Sequence, residues 1–142
     1  MILLDANLLL YAHNTSSKEH QTTVSWLEEI LAGPAPIALS WDTILAFLRV
    51  STTARIFGEP LDLEMAKSVV SDWLSQPNVS IVGPTDRHWE IFSKLLPRSR
   101  LRGSLIMDAH LAALAIEHGA TLCTNDRDFA RFPGLKVEYP LQ

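Results

Sequence analysis

Short apolar runs alternate along this chain with longer segments of helical periodicity. The runs cover residues 2–4, 37–39, 79–82 and 121–124, with a weaker one at 136–138. Apolar runs of this length are typical of strands buried on both faces of a parallel sheet. Because parallel neighbours need a crossover connection, usually a helix, the alternation predicts a three-layer α/β/α domain around a central parallel sheet.

Helix signals fill the intervals between the predicted strands. Ser40 and Thr85 are the expected N-caps of two helices, and Gly119 is the expected C-terminal cap of the last one. We expect helices between a capping box at 16–19 and Gly33, after Ser40, around 66–74, from Thr85 to Pro97 and from about 104 to 118, with a loop at 55–62.

Length and composition favour one globular domain covering residues 1–142, since 47% of the residues are hydrophobic and 20% are charged. No apolar stretch reaches the roughly 20 residues of a membrane span, and no basic start precedes a signal-like run, so we expect neither membrane insertion nor secretion. The single cysteine can form no internal disulfide, which suits a reducing cytoplasm. A net charge of −4 argues against a general DNA-coating protein.

Aspartates stand where the predicted topology converges. Asp5 and Asp126 follow the ends of strands, and the carboxyl ends of parallel strands share one edge of the sheet. Asp42 and Asp108 lie early in helices whose first turns cover that edge, and Asp128 can reach it from a loop. Carboxylates held this close raise one another's pKa unless a cation neutralises them. The sequence therefore predicts a cation site at this edge.

The donor set favours Mg²⁺, or Mn²⁺ as an alternative, because it offers carboxylate oxygens without His or Cys at zinc-like spacing. His110 and His118 have no such His or Cys partner and are expected to be partly buried or surface residues. A carboxylate site of this kind is suited to phosphodiester hydrolysis. Taken singly, each Asp has a simpler interpretation as a helix cap or turn residue, and Asn7 is either a cap or a group that orients Asp5. It is the convergence of the aspartates that favours a metal site.

Two other families with an acidic sheet edge fit the residues less well. A phosphatase that uses an aspartyl nucleophile requires a second Asp two positions later, where this chain has Asn7. A receiver domain requires an Asp at the end of the third strand, where the sequence reads Val82-Gly83-Pro84.

Three segments resemble PIN-domain ribonucleases, in particular toxins of the VapC type: ILLDANLLLYAHN, LAFLRVSTTARIF and MDAHLAALAIEHGATLCTNDRDFARFPGL. The resemblance covers essentially the whole chain. It implies a Mg²⁺-dependent endoribonuclease that cleaves structured RNA, commonly tRNA or ribosomal RNA. It also implies a cognate antitoxin that blocks the active site and represses the shared operon, and a homodimer, which is usual in that family.

The resemblance also assigns roles to residues. Asp5 and Asp108 match the metal-binding aspartates, Asp126 matches the fourth acidic position, and Asn7 and Thr124 match its polar neighbours. These assignments agree with the positions that the topology alone brings together, and they make Asp5, Asp108 and Asp126 the candidate catalytic residues.

One acidic position departs from the pattern. Where many PIN domains carry a Glu before the FLRV-like segment, this chain has Ala46. Asp42 lies one helical turn earlier on the same face and is the candidate substitute. Two functions therefore remain open: an active endoribonuclease, or a PIN-like module with weakened catalysis that serves in binding or regulation.

Two further features concern partners. The basic run Arg98, Arg100 and Arg102 enters the last helix beside the acidic edge, where it is expected to contact the RNA backbone; a solvated loop is the simpler alternative. An acidic pocket also attracts a guanidinium, so we expect an antitoxin Arg to enter it. The apolar candidates for the antitoxin groove are Trp26, Leu27 and Trp41, each of which is equally compatible with the core.

Overall fold

A computed structural model of the chain describes residues 1–96 and 103–142, apart from the side chains of Arg55 and Ser104. Its sheet contains strands β1 (Ile2–Leu4), β2 (Ile37–Leu39), β3 (Val79–Ile81), β4 (Thr121–Cys123) and β5 (Lys136–Glu138). They are ordered β3-β2-β1-β4-β5, and every adjacent pair is parallel. The predicted parallel sheet is confirmed, including its weak fifth strand.

Helices cover both faces of this sheet, as predicted for a three-layer domain. They are α1 (Ala6–His13), α2 (His20–Ala32), α3 (Trp41–Ser51), α4 (Ala54–Phe57), α5 (Leu63–Ser75), α6 (His88–Leu95) and α7 (Gly103–Glu117), with a 3₁₀ turn at Arg127–Arg131. None of the helices in the described part of the chain is long and apolar enough to span a membrane.

Two helix ends follow the prediction. The Ser40 side chain accepts a hydrogen bond from the Thr43 amide (3.2 Å) and so caps α3. Gly119, just beyond α7, has a φ of +64°, a left-handed conformation that glycine adopts without strain.

Two predicted helix starts are wrong because hydroxyl groups stabilise turns that precede the helices. The capping box at 16–19 predicts Ser16 as the N-cap, but α2 begins only at His20, and the neighbouring Ser17 hydroxyl accepts a hydrogen bond from the Glu19 amide. Thr85 accepts one from the Arg87 amide, and α6 begins at His88. Short hydroxyl side chains compete for backbone amides in this way.

Two further helical segments were not predicted from the sequence. The apolar segment after Asp5 forms α1, and the short helix α4 occupies the start of the predicted loop at 55–62. In both places the run of helical residues is short, so periodicity gives little signal.

The side chains of β1 alternate between two cores. Leu3 packs with Leu122 and the helix α7, whereas Leu4 packs with Leu8 of α1 and Phe47 of α3. The helix α7 approaches the sheet through small side chains that are completely buried: Ala109, Ala112, Ala113 and Ala115. This burial on both faces fixes the end of β1, and with it Asp5, at the carboxyl edge of the sheet.

Candidate active site

The hydroxyl of Thr124 connects the residues that follow β1 and β4. It donates a hydrogen bond to Asp5 Oδ2 (2.7 Å) and accepts from Asn7 Nδ2 (3.2 Å) and the Asp126 amide (3.0 Å). Thr124 is completely buried, and these contacts use its one donor and both of its acceptor sites. Its only proton therefore points at Asp5, and the orientation of that carboxyl group is fixed by the contact.

Asp5 occupies the N-cap position of α1 but makes no side-chain capping hydrogen bond. Its amide donates to the Cys123 carbonyl (3.0 Å), which holds the end of β1 against β4. Asn7 adds a second tie between the two segments, because its Oδ1 accepts from the Asn125 amide (3.3 Å). The predicted pairing of Asp5 with Asn7 and Thr124 is thus a hydrogen-bonded unit.

The two aspartates after β4 have different surroundings. Asp126 accepts a hydrogen bond from the Asp128 amide (2.9 Å) and so caps the 3₁₀ turn that follows. The Asp128 carboxylate is exposed and lies 3.5 Å from Arg131. Asp128 is therefore a turn residue at the rim, and its charge is partly offset by that arginine.

A cleft of about 570 Å³ opens beside Asp5. Asp108 of α7 lines one side of it, and α3 contributes Asp42, Ala46 and Arg49. Arg49 brings a cation to the cleft, a feature that the sequence analysis did not assign to the site. The cleft thus combines carboxylates with a guanidinium within reach of one bound group.

Burial and neighbouring acids raise the pKa of two of these aspartates. The pKa of Asp108 is raised to about 6, chiefly by burial and also by the negative charges of Asp126, Asp5 and Asp128. Burial also raises the pKa of Asp5, helped by Asp126 and opposed by the hydrogen bond from Thr124. A cation bound between these groups would remove that repulsion.

The donor chemistry fits a hard ion that keeps much of its water. Among residues 1–96 and 103–142, no three His, Cys, Asp or Glu side chains form a complete ligand set. Mg²⁺ does not require one, because it usually binds through one or two carboxylates and retains several waters. The one cysteine at this edge, Cys123, is completely buried, and burial raises the pKa of its thiol to about 12, so the thiol is protonated in the metal-free protein.

Asp42 lines the same cleft but engages a histidine. Its Oδ2 accepts a hydrogen bond from His110 Nε2 (2.7 Å), and His110 Nδ1 pairs with His88 Nε2 (2.9 Å). His110 is partly buried, as expected, but its contact with His88 was not predicted from the sequence. No spacing rule reveals this pair, because the packing of α6 against α7 creates it.

Two sets of predicted partner residues have different outcomes. The basic run Arg98, Arg100 and Arg102 lies outside the described residues. Leu27 is buried in the core, where it also lines a groove together with Val24 and Trp73, and Trp26 packs partly against that same core. The assignment of Trp26 and Leu27 to an antitoxin groove stays a prediction. Trp41 is 56% exposed at the start of α3.

A family model and full-length relatives of the chain agree on one protein family. Residues 2–135 match the family model of the PIN domain. The chain is 41% identical over 140 residues to Ribonuclease VapC37 of Mycobacterium tuberculosis, covering 99% of this chain and 97% of that relative. It is 39% identical over 142 residues to Ribonuclease VapC33 of the same species, covering 100% and 99%.

Solved structures share the fold. One is VapC20 of Mycobacterium tuberculosis, described as a sarcin-ricin loop cleaving toxin, with a TM-score of 0.66, 19% identity, and coverage of 96% of this chain and 99% of that one. Another is VapBC-1 from nontypeable Haemophilus influenzae, with a TM-score of 0.70, 20% identity and 100% coverage of both chains. At these identities the likeness supports the α/β/α architecture.

The raised pKa of Asp108 generates a prediction about stability. The pKa of Asp108 is raised from 3.8 to about 6 in the folded protein. Ionisation of Asp108 therefore lowers the stability of the metal-free protein as the pH rises from 3.8 to about 6, and the loss is complete above that pH. Asp108→Asn should therefore stabilise the metal-free protein near pH 7.5, by ~1 kcal/mol after allowance for solvent screening, and stabilise it less near pH 5.

Thermal unfolding in a chelator at both pH values measures this difference. Asp86→Asn, which removes an exposed aspartate before α6, is the control and should show no such pH dependence. A gain from Asp108→Asn that is the same at both pH values would contradict the electrostatic origin of the effect.

Proposed function

The chain belongs to the PIN-domain family and is related over its full length to VapC ribonucleases, and from that premise we propose that it is a Mg²⁺-dependent endoribonuclease, the toxin of a toxin–antitoxin pair. The observation that carries the proposal is the group of mutually repelling carboxyls, Asp5, Asp108 and Asp126, beside an open cleft. Without a bound cation, carboxyl groups arranged in this way repel one another and lower the stability of the folded protein. With a bound metal ion, the same groups can serve catalysis. A cytoplasmic location is proposed as well, because the proposed substrate is RNA.

Asp5 and Asp108 are the residues proposed to hold the ion. A bound Mg²⁺, or Mn²⁺ in its place, supplies a water of lowered pKa and neutralises the charge that develops on the phosphate. Thr124 fixes the direction of the Asp5 carboxylate, and Asn7 ties the loop that carries Thr124 to α1. Asp126 adds negative charge that raises the pKa of both carboxyl groups, a repulsion that a bound cation would offset.

Arg49 is proposed to bind a phosphate of the RNA from the α3 side of the cleft, because a guanidinium pairs with phosphate oxygens through two hydrogen bonds. The run Arg98, Arg100 and Arg102 is proposed to extend this contact along the backbone. Cations at these places allow a protein of net charge −4 to attract a polyanion. Structured RNA, such as tRNA or ribosomal RNA, is the proposed substrate class.

A cognate antitoxin is the proposed protein partner. The acidic cleft suits an inserted arginine, and two apolar side chains that line it, Leu45 and Met107, are each more than half exposed. Trp41, which directly precedes the cleft residue Asp42 at the start of α3, is also more than half exposed. An antitoxin segment that covers these side chains while its arginine pairs with the carboxylates would exclude the ion. A homodimer is proposed as well, on the strength of the family resemblance.

The first prediction from this function concerns the ligands themselves. Asp5→Asn and Asp108→Asn should each fold normally and lower Mg²⁺-dependent RNA cleavage by at least ~100-fold, since each removes a negative ligand from the ion. Single-turnover cleavage of a structured RNA measures the loss, and Asp86→Asn should cleave at the wild-type rate. Cleavage by Asp5→Asn at the wild-type rate would contradict the assignment, whereas a wild-type protein that binds RNA without cleaving it would favour the non-catalytic module.

The second prediction concerns the basic run. Replacing Arg98, Arg100 and Arg102 together with Ala should weaken RNA binding and make the logarithmic salt slope shallower by about 2, at ~0.7 for each phosphate that is no longer neutralised. Metal affinity should hardly change. Binding across a salt series decides this, with Lys67→Ala on the exposed face of α5 as the control. An unchanged slope would leave phosphate binding to Arg49 and other cations.

The third prediction concerns the antitoxin. The purified complex should be inactive at ordinary Mg²⁺ concentrations, and replacing the inserted antitoxin arginine with Ala should restore cleavage without dissociating the complex. Trp41→Ala should weaken the complex by at least ~10-fold, since buried aromatic anchors dominate interface energies. A complex that is fully active at those concentrations would refute this mode of inhibition.

A further inference from the structure

A continuous chain of hydrogen bonds leads from the interior to the wall of the cleft. Glu117 Oε2 pairs with His88 Nδ1 (2.7 Å), His88 Nε2 pairs with His110 Nδ1 (2.9 Å), and His110 Nε2 pairs with Asp42 Oδ2 (2.7 Å). We call these four residues the histidine chain. It joins α7, α6 and α3. The proposed function above gives no role to Glu117, His88 or His110.

The buried end of the histidine chain is fixed. The Glu117 side chain is 0% exposed, and its other oxygen accepts a hydrogen bond from the Thr85 amide (2.8 Å). A buried carboxylate without such donors is strongly destabilised, so both contacts are needed. The His88 ring is held further by Phe92, which stacks on it with an interplanar angle of 7°. His88 therefore presents its Nε2 atom to His110 in a set orientation.

The direction of the hydrogen bonds at the two ends of the histidine chain follows from the carboxylates. A carboxylate accepts hydrogen bonds and donates none, so the ring nitrogen that faces each carboxylate is the donor. His88 Nδ1 donates to Glu117, and His110 Nε2 donates to Asp42.

The exposed end of the histidine chain is left with a free acceptor. Asp42 Oδ2 is occupied by His110, whereas Oδ1 accepts no hydrogen bond from any residue in the described ranges. The side chain is 42% exposed and lines the cleft together with Asp5 and Asp108. Asp42 can therefore offer its Oδ1 atom as a ligand or acceptor to a group bound in the cleft, while Oδ2 stays bonded to His110.

We propose that Glu117, His88 and His110 are positioning residues that hold Asp42 in the cleft as the second acid of the metal site, in the role left empty by Ala46. The inference rests on the proposed function and specifies how one of its carboxylates is held. Ala46 lies one helical turn beyond Asp42 and lines the same cleft, so a longer side chain there would reach the same space. A chain that served only to brace α6 against α7 would have no need to end on a cleft carboxylate with a free oxygen.

The experiment compares Mn²⁺ binding, measured by titration without RNA, with the Mg²⁺ dependence of cleavage. Asp42→Asn and His110→Leu should each weaken Mn²⁺ binding and raise the half-saturating Mg²⁺ concentration by ~10-fold, the range expected for removing an outer partner of a metal site. His110→Gln keeps an N–H donor near the position of Nε2 and should recover most of the loss. His20→Gln is the control, because the His20 ring bonds a backbone carbonyl, that of Tyr11 (2.9 Å), outside the histidine chain.

Coupling between the variants distinguishes positioning from bracing. The double variant Asp42→Asn/His110→Leu should bind Mn²⁺ no more weakly than Asp42→Asn alone, because His110 acts through Asp42. Adding Ala46→Glu to His110→Leu should restore binding. In the metal-free protein, nitrogen NMR of the imidazoles should show that Glu117→Gln moves the His110 resonances, since the two residues communicate through His88.

Three results overturn the inference. Additive losses in the double variant would show that His110 does not act through Asp42. Unchanged His110 resonances in Glu117→Gln would show that the histidine chain is not connected. Wild-type Mn²⁺ binding by Asp42→Asn, in a protein whose Asp5→Asn variant binds none, would remove Asp42 from the site while leaving the proposed function intact. Cleavage by Asp5→Asn at the wild-type rate would instead refute the proposed function itself.

Discussion

The site depends on one buried hydroxyl. Thr124 has a single proton, which it donates to Asp5, and both of its acceptor positions are filled by groups from the loops after β1 and β4. These loops meet because β1 and β4 are parallel neighbours whose carboxyl ends share an edge. The packing of Leu3 and Leu4 into separate cores fixes that edge in turn. Small changes at Thr124 would therefore be transmitted to the orientation of Asp5.

The same arrangement is a liability for stability. Asp108 and Asp5 both have a raised pKa, so their charged forms are less favourable in the folded protein than in water. The fold tolerates this because α7 is packed tightly against the sheet through alanines. The repulsion is the electrostatic counterpart of affinity for a cation, as sites built for function often show. The surroundings of Asp42 differ, because there a ring N–H of His110 donates a hydrogen bond to the carboxylate within the protein.

Much of this could be read from the sequence. The parallel sheet and the placement of Asp5 and Asp126 follow from short apolar strands that end in polar residues, because strand direction alone decides which ends meet. The capping-box pattern at 16–19 and Thr85 predicted the helix starts too early, since a hydroxyl side chain that bonds a turn cannot be told by its residue type from one that caps a helix.

The histidine chain could not be predicted from the sequence. Its contacts join residues 22, 29 and 68 positions apart, and they depend on how α3, α6 and α7 pack rather than on any local pattern. The exposure of Trp41 and the burial of Leu27 could likewise not be separated by periodicity alone, because both occupy apolar positions of amphipathic helices.

The central claim is that Asp5 and Asp108 together hold a hard divalent ion at the carboxyl edge of the sheet. Anomalous diffraction from crystals grown with Mn²⁺ tests it most directly. The account predicts a manganese peak within ligand distance of both carboxylates, with water completing the coordination shell. An empty cleft at saturating Mn²⁺, or a peak bound only elsewhere on the protein, would contradict it.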